Sequence, residues 1–593
     1  MAILHTEGTH LEPHAPVIPL NKRFLISLAC VFLVAMHFFT PNPGGEGLAL
    51  SFNTATWAGL SVTFAIGLYQ VANNQALRYS RLTFGLTITC ILLTLPEFYL
   101  NADLTHSMPR LIGLWAGLLL FVLLQQFQFS NSQKQRLLWF IVLAVLIEAL
   151  FGFVQYFVLP AHNIFNYNTL INRPYGIFQQ PNVMASFLAT GLVLSGYLLA
   201  RHPVKYRRRL GSISLLYVTP SLTVPLLIVL ASRTGWLAAV ISVALLTPYL
   251  YHFATKRRAS GWCLSLLLGL GFGAIMALSN DGIVDGKGSQ QTILEKSNLD
   301  SPRSYIYHQA LDMFIEKPLT GYGYGRFEPS YLLYTARQHQ LNPSYHVGLP
   351  SLSHPHNELL YWAVEGGVVP VLGILLAAAL VLRQLYLAKK GTRLALLALF
   401  LPIVLHSQLE YPFYHSAIHW IIFVMLLYWV DQRSVSYRKL SFHASGKSLL
   451  RVTSLILPIC ISLYMLSALQ TNSALSRFEK SVPPNPELLK HITNPIAWQS
   501  RLDWDIYSTY LRIGLLEHQA KFIQPYIDWS EQMIKIKPRP AFYNNLILAY
   551  QGLGEDDKAN QVRAEANYLF PNLNFSNIKY LPPSAIKQKL KNK

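Results

Sequence analysis

About thirteen apolar runs, each long enough to cross a bilayer, succeed one another along this chain, and they restrict the fold more than any motif does. They lie at roughly 24–40, 55–72, 82–96, 111–127, 137–159, 183–200, 213–231, 234–253, 261–279, 358–382, 394–409, 417–431 and 449–469. Backbone that enters hydrocarbon must satisfy its own hydrogen bonds, and runs of this length do so as helices. With 52% hydrophobic and 13% charged residues, a 593-residue chain of mean hydropathy +0.30 is not a soluble globular protein. The expected fold is therefore all-α: a polytopic helical membrane protein of about 12–13 spans.

The formal net charge of +20 does not indicate nucleic acid, because the basic residues are spread between the apolar runs. With the N-terminus inside, alternate connections hold 23 lysines and arginines, whereas the short connections opposite hold Arg110, Arg173 and Arg233. This asymmetry predicts a cytoplasmic N-terminus. The first apolar run leads into Pro41-Asn42-Pro43 and further spans, so no cleavable signal is expected. Cys30, Cys90, Cys263 and Cys460 all fall within apolar segments, which implies neither a disulfide framework nor a thiolate metal site. The expected organisation is a cytoplasmic segment 1–23, a bundle 24–279, an outer loop 280–357, a second bundle 358–469 and an outer helical domain 470–593.

Chemistry is expected on the outer face. There Ser353-His354-Pro355-His356-Asn357-Glu358 places two imidazoles and an amide where a polar loop meets an apolar run. Pro355 suits a first helical turn, so His356 is expected in that turn and His354 in the extended approach. Helix starts also attract anions, which suits a neutral base beside a phosphate. A lone interfacial histidine is more often satisfied by water or backbone; the cluster of Pro355, Asn357 and Glu358 around these two weakens that reading.

Arg233, in Ser232-Arg233-Thr234-Gly235, lies in a hairpin too short to shed its charge easily into bulk water. It could snorkel to lipid headgroups. Arg173 and Arg303 fall on the same side, and three guanidinium forks together fit a phosphate better than three independent snorkels. A helix is expected from Ser301-Pro302-Arg303 onward, with Ser301 as cap and Pro302 at its first position. Gly321-Tyr322-Gly323-Tyr324-Gly325 lacks the context of a nucleotide-binding loop and reads as a structural turn. Glu148, isolated in the fifth apolar run, reads as paired inside the bundle rather than catalytic. No carboxylate or histidine spacing calls for a metal, and no cofactor is implied.

These pieces resemble a known family, the bacterial O-antigen ligase and polymerase superfamily, and within it the protein O-oligosaccharyltransferases. The resemblance rests on Gly176-Ile177-Phe178-Gln179-Gln180-Pro181-Asn182 with Ala185, on Ser232-Arg233, and on Arg303. It continues through His354-Pro355-His356-Asn357 with Glu365-Gly366-Gly367, and through His406-Ser407-Gln408-Leu409-Glu410-Tyr411-Pro412. It implies an inner-membrane, multi-pass glycosyltransferase that takes a glycan from an undecaprenyl-diphosphate carrier at the periplasmic face and joins it to a hydroxyl. Carried over by position, His356 is the general base and Arg233 and Arg303 clamp the diphosphate. Arg173 and Gln180 are further donor-side candidates, and His354, Asn357, Glu410 and Tyr411 are candidate donor or acceptor contacts. Direct displacement would invert the anomeric carbon without a metal.

Trp504 to Glu517 and Ala541 to Leu569 read as helical, and Asn545, Ala549, Tyr550, Gly554 and Ala559 loosely fit one tetratricopeptide-type pair or an ordinary amphipathic hairpin. An outer helical domain suits a periplasmic or pilin protein acceptor and favours transfer to Ser or Thr. The alternatives are ligation to lipid A-core sugar and, in a different class, a lipid-linked glycan flippase. A flippase would place its polar groups near the bilayer midplane rather than in an outer loop.

Overall fold

The structure is a computed structural model that describes residues 19–201, 210–279, 301–433 and 437–581. Parts of the expected N-terminal segment (1–18), basic connections (202–209 and 434–436), outer loop (280–300) and tail (582–593) lie outside the described residues. The first half contains α1 (Leu20–Leu33), α2 (Ser51–Asn74), α3 (Arg81–Thr94), α4 (Leu104–Leu124), α5 (Asn131–Phe157), α6 (Pro181–Arg201), α7 (Leu210–Val229), α8 (Arg233–Phe253) and α9 (Lys256–Ser279). Two loop helices follow, α10 (Arg303–Glu316) and α11 (Phe327–Leu341). Then come α12 (Glu358–Gly366), α13 (Val368–Leu387), α14 (Arg393–Ser407), the single turn α15 (Pro412–His415), α16 (Ala417–Asp431) and α17 (Ala444–Lys480). The last four are α18 (Gln499–Glu517), α19 (Ala520–Met533), α20 (Pro540–Gly552) and α21 (Asp556–Leu569).

Twelve segments among the described residues are long and apolar enough to span a membrane, and α16 is a shorter apolar helix beside them. The chain is a polytopic all-α membrane protein. Among the described residues one sheet forms, pairing Ala76–Tyr79 antiparallel with Arg438–Ser441 and tying the α2–α3 connection to the α16–α17 connection. Helix starts use side-chain caps where the sequence supplies them. Ser80 and Thr83 form a capping box on α3, Ser130 and Gln133 form one on α5, and Ser232 accepts from Gly235 N–H on α8. The most enclosed span is α6, apolar around its whole circumference, as a helix at the centre of a bundle must be.

Two cores divide the molecule. One is the membrane core, with α6, α14 and α16 at its centre. The other joins the loop helices to the C-terminal domain: Ala310, Tyr331 and Val364 share it with Leu511, Tyr526 and Tyr543. The C-terminal helices are therefore packed on the loop that carries the histidine motif.

The run 358–382 is not one helix. It breaks between α12 and α13 at Gly367, whose φ is +70° and whose added Cβ would lie 2.4 Å from the Leu319 carbonyl oxygen. His356 is also not in a helical turn. Helix α12 starts at Glu358, with Asn357 as cap accepting from Leu360 N–H at 2.9 Å, and His356 sits at φ +58°. An Asn cap outcompetes the Pro355 start because its side chain satisfies an otherwise unpaired helical N–H. Pro302, likewise, precedes α10 rather than opening it, and Ser301 Oγ is 3.5 Å from Arg303 N.

Candidate active site

Glu410 is the hub of a polar cluster on the loop side of the bundle. It lies in the Gln408–Tyr411 break between α14 and α15, where helical hydrogen bonding lapses and a side chain can turn across the bundle. The carboxylate is 5% exposed. Its Oε2 is 2.7 Å from His356 Nδ1, and its Oε1 accepts from Asn182 Nδ2 at 2.9 Å and from Arg303 Nη2. Burial alone would raise this carboxyl. The His356 hydrogen bond and the Arg303 charge outweigh burial and hold it at about 2. An ionised carboxylate accepts, so His356 presents Nδ1–H to it and keeps the Nε2 lone pair for the cleft.

The left-handed turn at His356 is held by two hydrogen bonds to its backbone. His354 Nδ1 accepts from His356 N–H at 2.9 Å, and the Tyr307 hydroxyl donates to the His356 carbonyl at 3.0 Å. Tyr307 also donates to Gln408 O at 3.3 Å, and Asn357 Nδ2 donates to the same oxygen at 3.0 Å. The histidine loop and the Glu410 loop are thus stitched together by Tyr307 and Asn357.

His354 is 5% exposed, with its ring between those of Tyr361, Tyr411 and Tyr414 at centroid distances of 4.4, 5.1 and 5.4 Å. Burial pushes its pKa below the usual imidazole value, so it remains neutral and can accept the His356 N–H. Its Nε2 is 3.8 Å from Glu358 Oε2, while Trp362 and Tyr414 donate to Glu358 Oε1 at 2.7 and 2.8 Å. The two imidazoles therefore differ in role: His354 supports the turn and His356 faces the cleft. Tyr411 lies against both rings, and burial raises its phenol to about 12.

Arg173 is a further guanidinium near this cluster. Burial lowers its pKa to about 10 against the opposing pull of the Glu410 charge, still high enough to keep it charged near neutrality. Its Nε donates to Leu230 O at 2.5 Å and its Nη2 to Ala231 O at 3.4 Å, which fixes the end of α7. Arg233 follows two residues later as the exposed first residue of α8. A cation at a helix start adds to the positive end of the helix dipole, so this corner favours anions. Gln180 Oε1 accepts from Asn182 N–H at 2.5 Å and so helps set the amide that reaches Glu410.

The turn before Gln180 is anchored from inside the bundle. Glu148 Oε2 accepts from Ile177 N–H at 2.9 Å, and its Oε1 is 2.7 Å from His37 Nδ1. Glu148 is thus paired inside the bundle. Gln155 Oε1 accepts from Tyr175 and Gly176 N–H at 2.9 and 2.8 Å. Only glycine fits at 176, where φ is +61° and a Cβ would lie 2.3 Å from Glu148 Oε2. Gly321 to Gly325 is a structural turn, with Tyr322 and Gly323 N–H bonded to Val364 O and Glu365 O at 2.8 and 2.9 Å. Among the described residues no three His, Cys, Asp or Glu side chains converge as metal ligands.

Sequence reasoning left Asn182, Tyr307 and Glu358 off its list of site residues. Helical spacing held one of these signals, since Tyr307 lies four residues after Arg303 on α10, whereas Glu358 meets His354 across a non-helical turn.

Comparison with known proteins matches three stretches of the chain that meet near Glu410. Residues 221–376 match the O-antigen ligase family, a stretch that carries Arg233, Arg303, His354 and His356. Residues 394–580 match the C-terminal part of virulence factor membrane-bound polymerases, including Glu410 and Tyr411. Residues 174–199, with Gln180 and Asn182, match protein glycosylation ligases. The chain is also 25% identical over 418 residues to the general O-oligosaccharyltransferase of Acinetobacter baylyi (strain ATCC 33305 / BD413 / ADP1), covering 66% of this chain and 68% of that protein. With these three matches in this order on a polytopic bundle, the chain is similar to O-antigen ligases, membrane-bound polymerases and protein glycosylation ligases, and it is a membrane enzyme of the glycosyltransferase type.

Proposed function

We propose that this enzyme is a protein O-oligosaccharyltransferase. It moves a preassembled glycan from undecaprenyl diphosphate to Ser or Thr hydroxyls of periplasmic or pilin proteins. The observation that carries the reading is the continuous chain from the His356 ring through Glu410 to Arg303, which couples a base to a cation.

In the proposed reaction His356 Nε2 takes the acceptor hydroxyl proton as the oxygen attacks the anomeric carbon. The bond from that carbon to the diphosphate oxygen breaks, with inversion. Glu410 stabilises the imidazolium formed, as a carboxylate does beside any histidine that gains a proton. Arg303 gives one Nη to Glu410 and keeps its other donors for the leaving diphosphate; Arg173 and Arg233 add charge on the same side. Fixed guanidinium groups stabilise departing diphosphate without the reorganisation that water would need. The active site faces the periplasm of a bacterial inner membrane in this reading, consistent with the distribution of Lys and Arg among the connections.

The match of residues 221–376 to O-antigen ligases keeps one rival in play, transfer to lipid A-core sugar. Intact-mass analysis of periplasmic proteins with and without this chain, run beside a lipopolysaccharide gel, separates the two. Loss of protein-bound glycan is the expected result. Loss of long lipopolysaccharide alone would give the rival its place.

A further inference from the structure

Three histidines lie beneath the Glu410 cluster, and the chemistry above gives none of them a task. His406, His415 and His419 are buried in the bundle, where an imidazole is costly unless its nitrogens are held. His415 Nε2 donates to Phe178 O at 2.8 Å and so ties α15 to the turn that precedes Gln180. The other two rings share one hydroxyl. Ser186 Oγ is 2.6 Å from His406 Nδ1 and 3.0 Å from His419 Nε2, and His419 Nδ1 is 2.9 Å from Ser416 Oγ. The Ser186 hydroxyl donates to Val183 O at 3.0 Å, so its oxygen accepts from both rings. One hydrogen-bonded chain therefore joins α14, α6 and α16.

Its place in the fold relates this chain to the site. Ser186 follows Asn182 by four residues on α6, and His406 precedes Glu410 by four. Four residues are about one helical turn. Helix α6 and the end of α14 are thus joined by two rungs: Asn182 Nδ2 to Glu410 Oε1 at 2.9 Å and, one turn deeper, Ser186 Oγ to His406 Nδ1 at 2.6 Å. His406 also holds the backbone that carries Glu410, since its carbonyl accepts from Leu409 N–H at 3.1 Å and from Glu410 N–H at 2.8 Å.

The apolar contacts around the deeper rung are non-directional, so they do not fix how far one helix has slid along the other. A hydrogen bond, with its narrow range of length and angle, does. On the upper rung Asn182 and Arg303 both hold Oε1 of Glu410, which leaves Oε2 to His356. A slide between the two helices would pull Asn182 away and let the carboxylate turn.

We propose that His406 and Ser186 are positioning residues for the reaction. Their hydrogen bond sets α6 against α14 so that Asn182 holds Glu410 with Oε2 toward His356, and His419 with Ser416 braces the Ser186 hydroxyl from α16. This inference rests on the roles given above to Glu410 and His356 and is independent of which acceptor is used.

The test uses full-length enzyme in detergent or vesicles, a lipid-diphosphate glycan donor, and a carrier protein or lipid A-core, whichever wild type modifies. Ser186→Ala should lower kcat by about ten-fold with both KM values unchanged, as a small misplacement of the catalytic group does. The acid limb of its pH–rate profile should move to lower pH, because a loosened Glu410 holds the imidazolium less tightly; a general loss of folded enzyme would lower the rate without moving the limb. Asn182→Ala should resemble it, and the double variant should be no slower than Asn182→Ala alone, since the deeper rung acts through the upper one. If Ser186→Ala fails to fold, His406→Asn and His406→Leu carry the test: the Asn amide nitrogen can stand where Nδ1 stood, so His406→Asn should keep most of the activity that His406→Leu loses. Wild-type kcat in Ser186→Ala, losses that multiply in the double variant, or equal activity of the two His406 variants overturns the positioning role. Unchanged turnover in Glu410→Gln would instead overturn the role given to Glu410 itself.

Discussion

Two arginine–glutamate pairs stand near each other on the loop side of this bundle, and they have opposite uses. Arg110 of α4 meets Glu365 of α12 at 2.8 Å, with side-chain exposures of 7% and 0%. Its guanidinium lies over the rings of Trp362, Tyr324 and Tyr361 at 4.1, 4.4 and 4.7 Å. Glu365 also accepts from Phe327 N–H at 3.1 Å, and the Tyr324 hydroxyl donates to Leu93 O at 2.7 Å. Every contact joins one piece of protein to another. Arg303 meets Glu410 with exposures of 29% and 7%, and its free donors open to the cleft. The chemistry of the two pairs is the same and the enclosure differs. A sealed pair presents no donor to a ligand even where, as with Arg110 Nε and Nη1, a donor is unpartnered, whereas an open one next to an imidazole can stabilise charge that appears only during reaction.

The sharpest way to break this contrast is to remove the base. His356→Ala should keep its fold, because the ring's hydrogen bond is to Glu410 and not to a structural element that it holds in place, and should lose transfer by about 10²–10⁴-fold, measured as glycan mass added to the acceptor. Turnover like wild type would remove His356 from the chemistry.

Next come the arginines, which the contrast predicts will fail in different assays. Arg110→Met leaves Glu365 buried and uncompensated, so thermal or denaturant unfolding should show a loss of about 3–5 kcal/mol. Arg303→Ala should cost little stability but reduce kcat by about 10²–10³-fold, as loss of a transition-state donor does. If Arg110→Met were stable and catalytically dead, the sealed pair would be part of the reaction after all.

The sequence spelled out the span pattern because bilayer thickness imposes one length on every crossing, and the loop helix at Arg303 because its apolar spacing is local. It also assembled Arg303, His356 and Glu410, though only through resemblance, since 303, 356 and 410 meet by tertiary packing that no local period reports. His356 shows where local reasoning fails. Pro355 alone predicts a helix start, but Asn357 captures the Leu360 N–H and His354 captures the His356 N–H, and those two bonds together hold a left-handed turn. Arg110 was legible as one of three outer-face arginines, yet its aromatic box comes from residues more than 200 positions away. Charge could be counted in advance, but enclosure could not.

The smallest effect concerns pH, and it separates the two pairs once more. Glu410, held at about 2, stays ionised wherever the enzyme can work, so its own protonation does not limit the rate on the acid side. Its depressed pKa stabilises the fold above the ordinary carboxyl range near 4.5, and that contribution is lost as pH falls toward about 2. During catalysis the same negative charge stabilises the imidazolium of His356. Glu410→Gln removes that charge, so a proton leaves the imidazolium more readily and the acid limb of the pH–rate profile should move to lower pH. The rate on the plateau should fall by about ten-fold, because the weaker base is also worse at drawing the hydroxyl proton. Arg110→Met should leave the acid limb where it is, since Arg110 pairs with Glu365 and lies over Tyr324, Tyr361 and Trp362, whereas the His356 ring is bonded to Glu410. A shift of the limb in that variant would mean that the sealed pair also sets the electrostatics of the base.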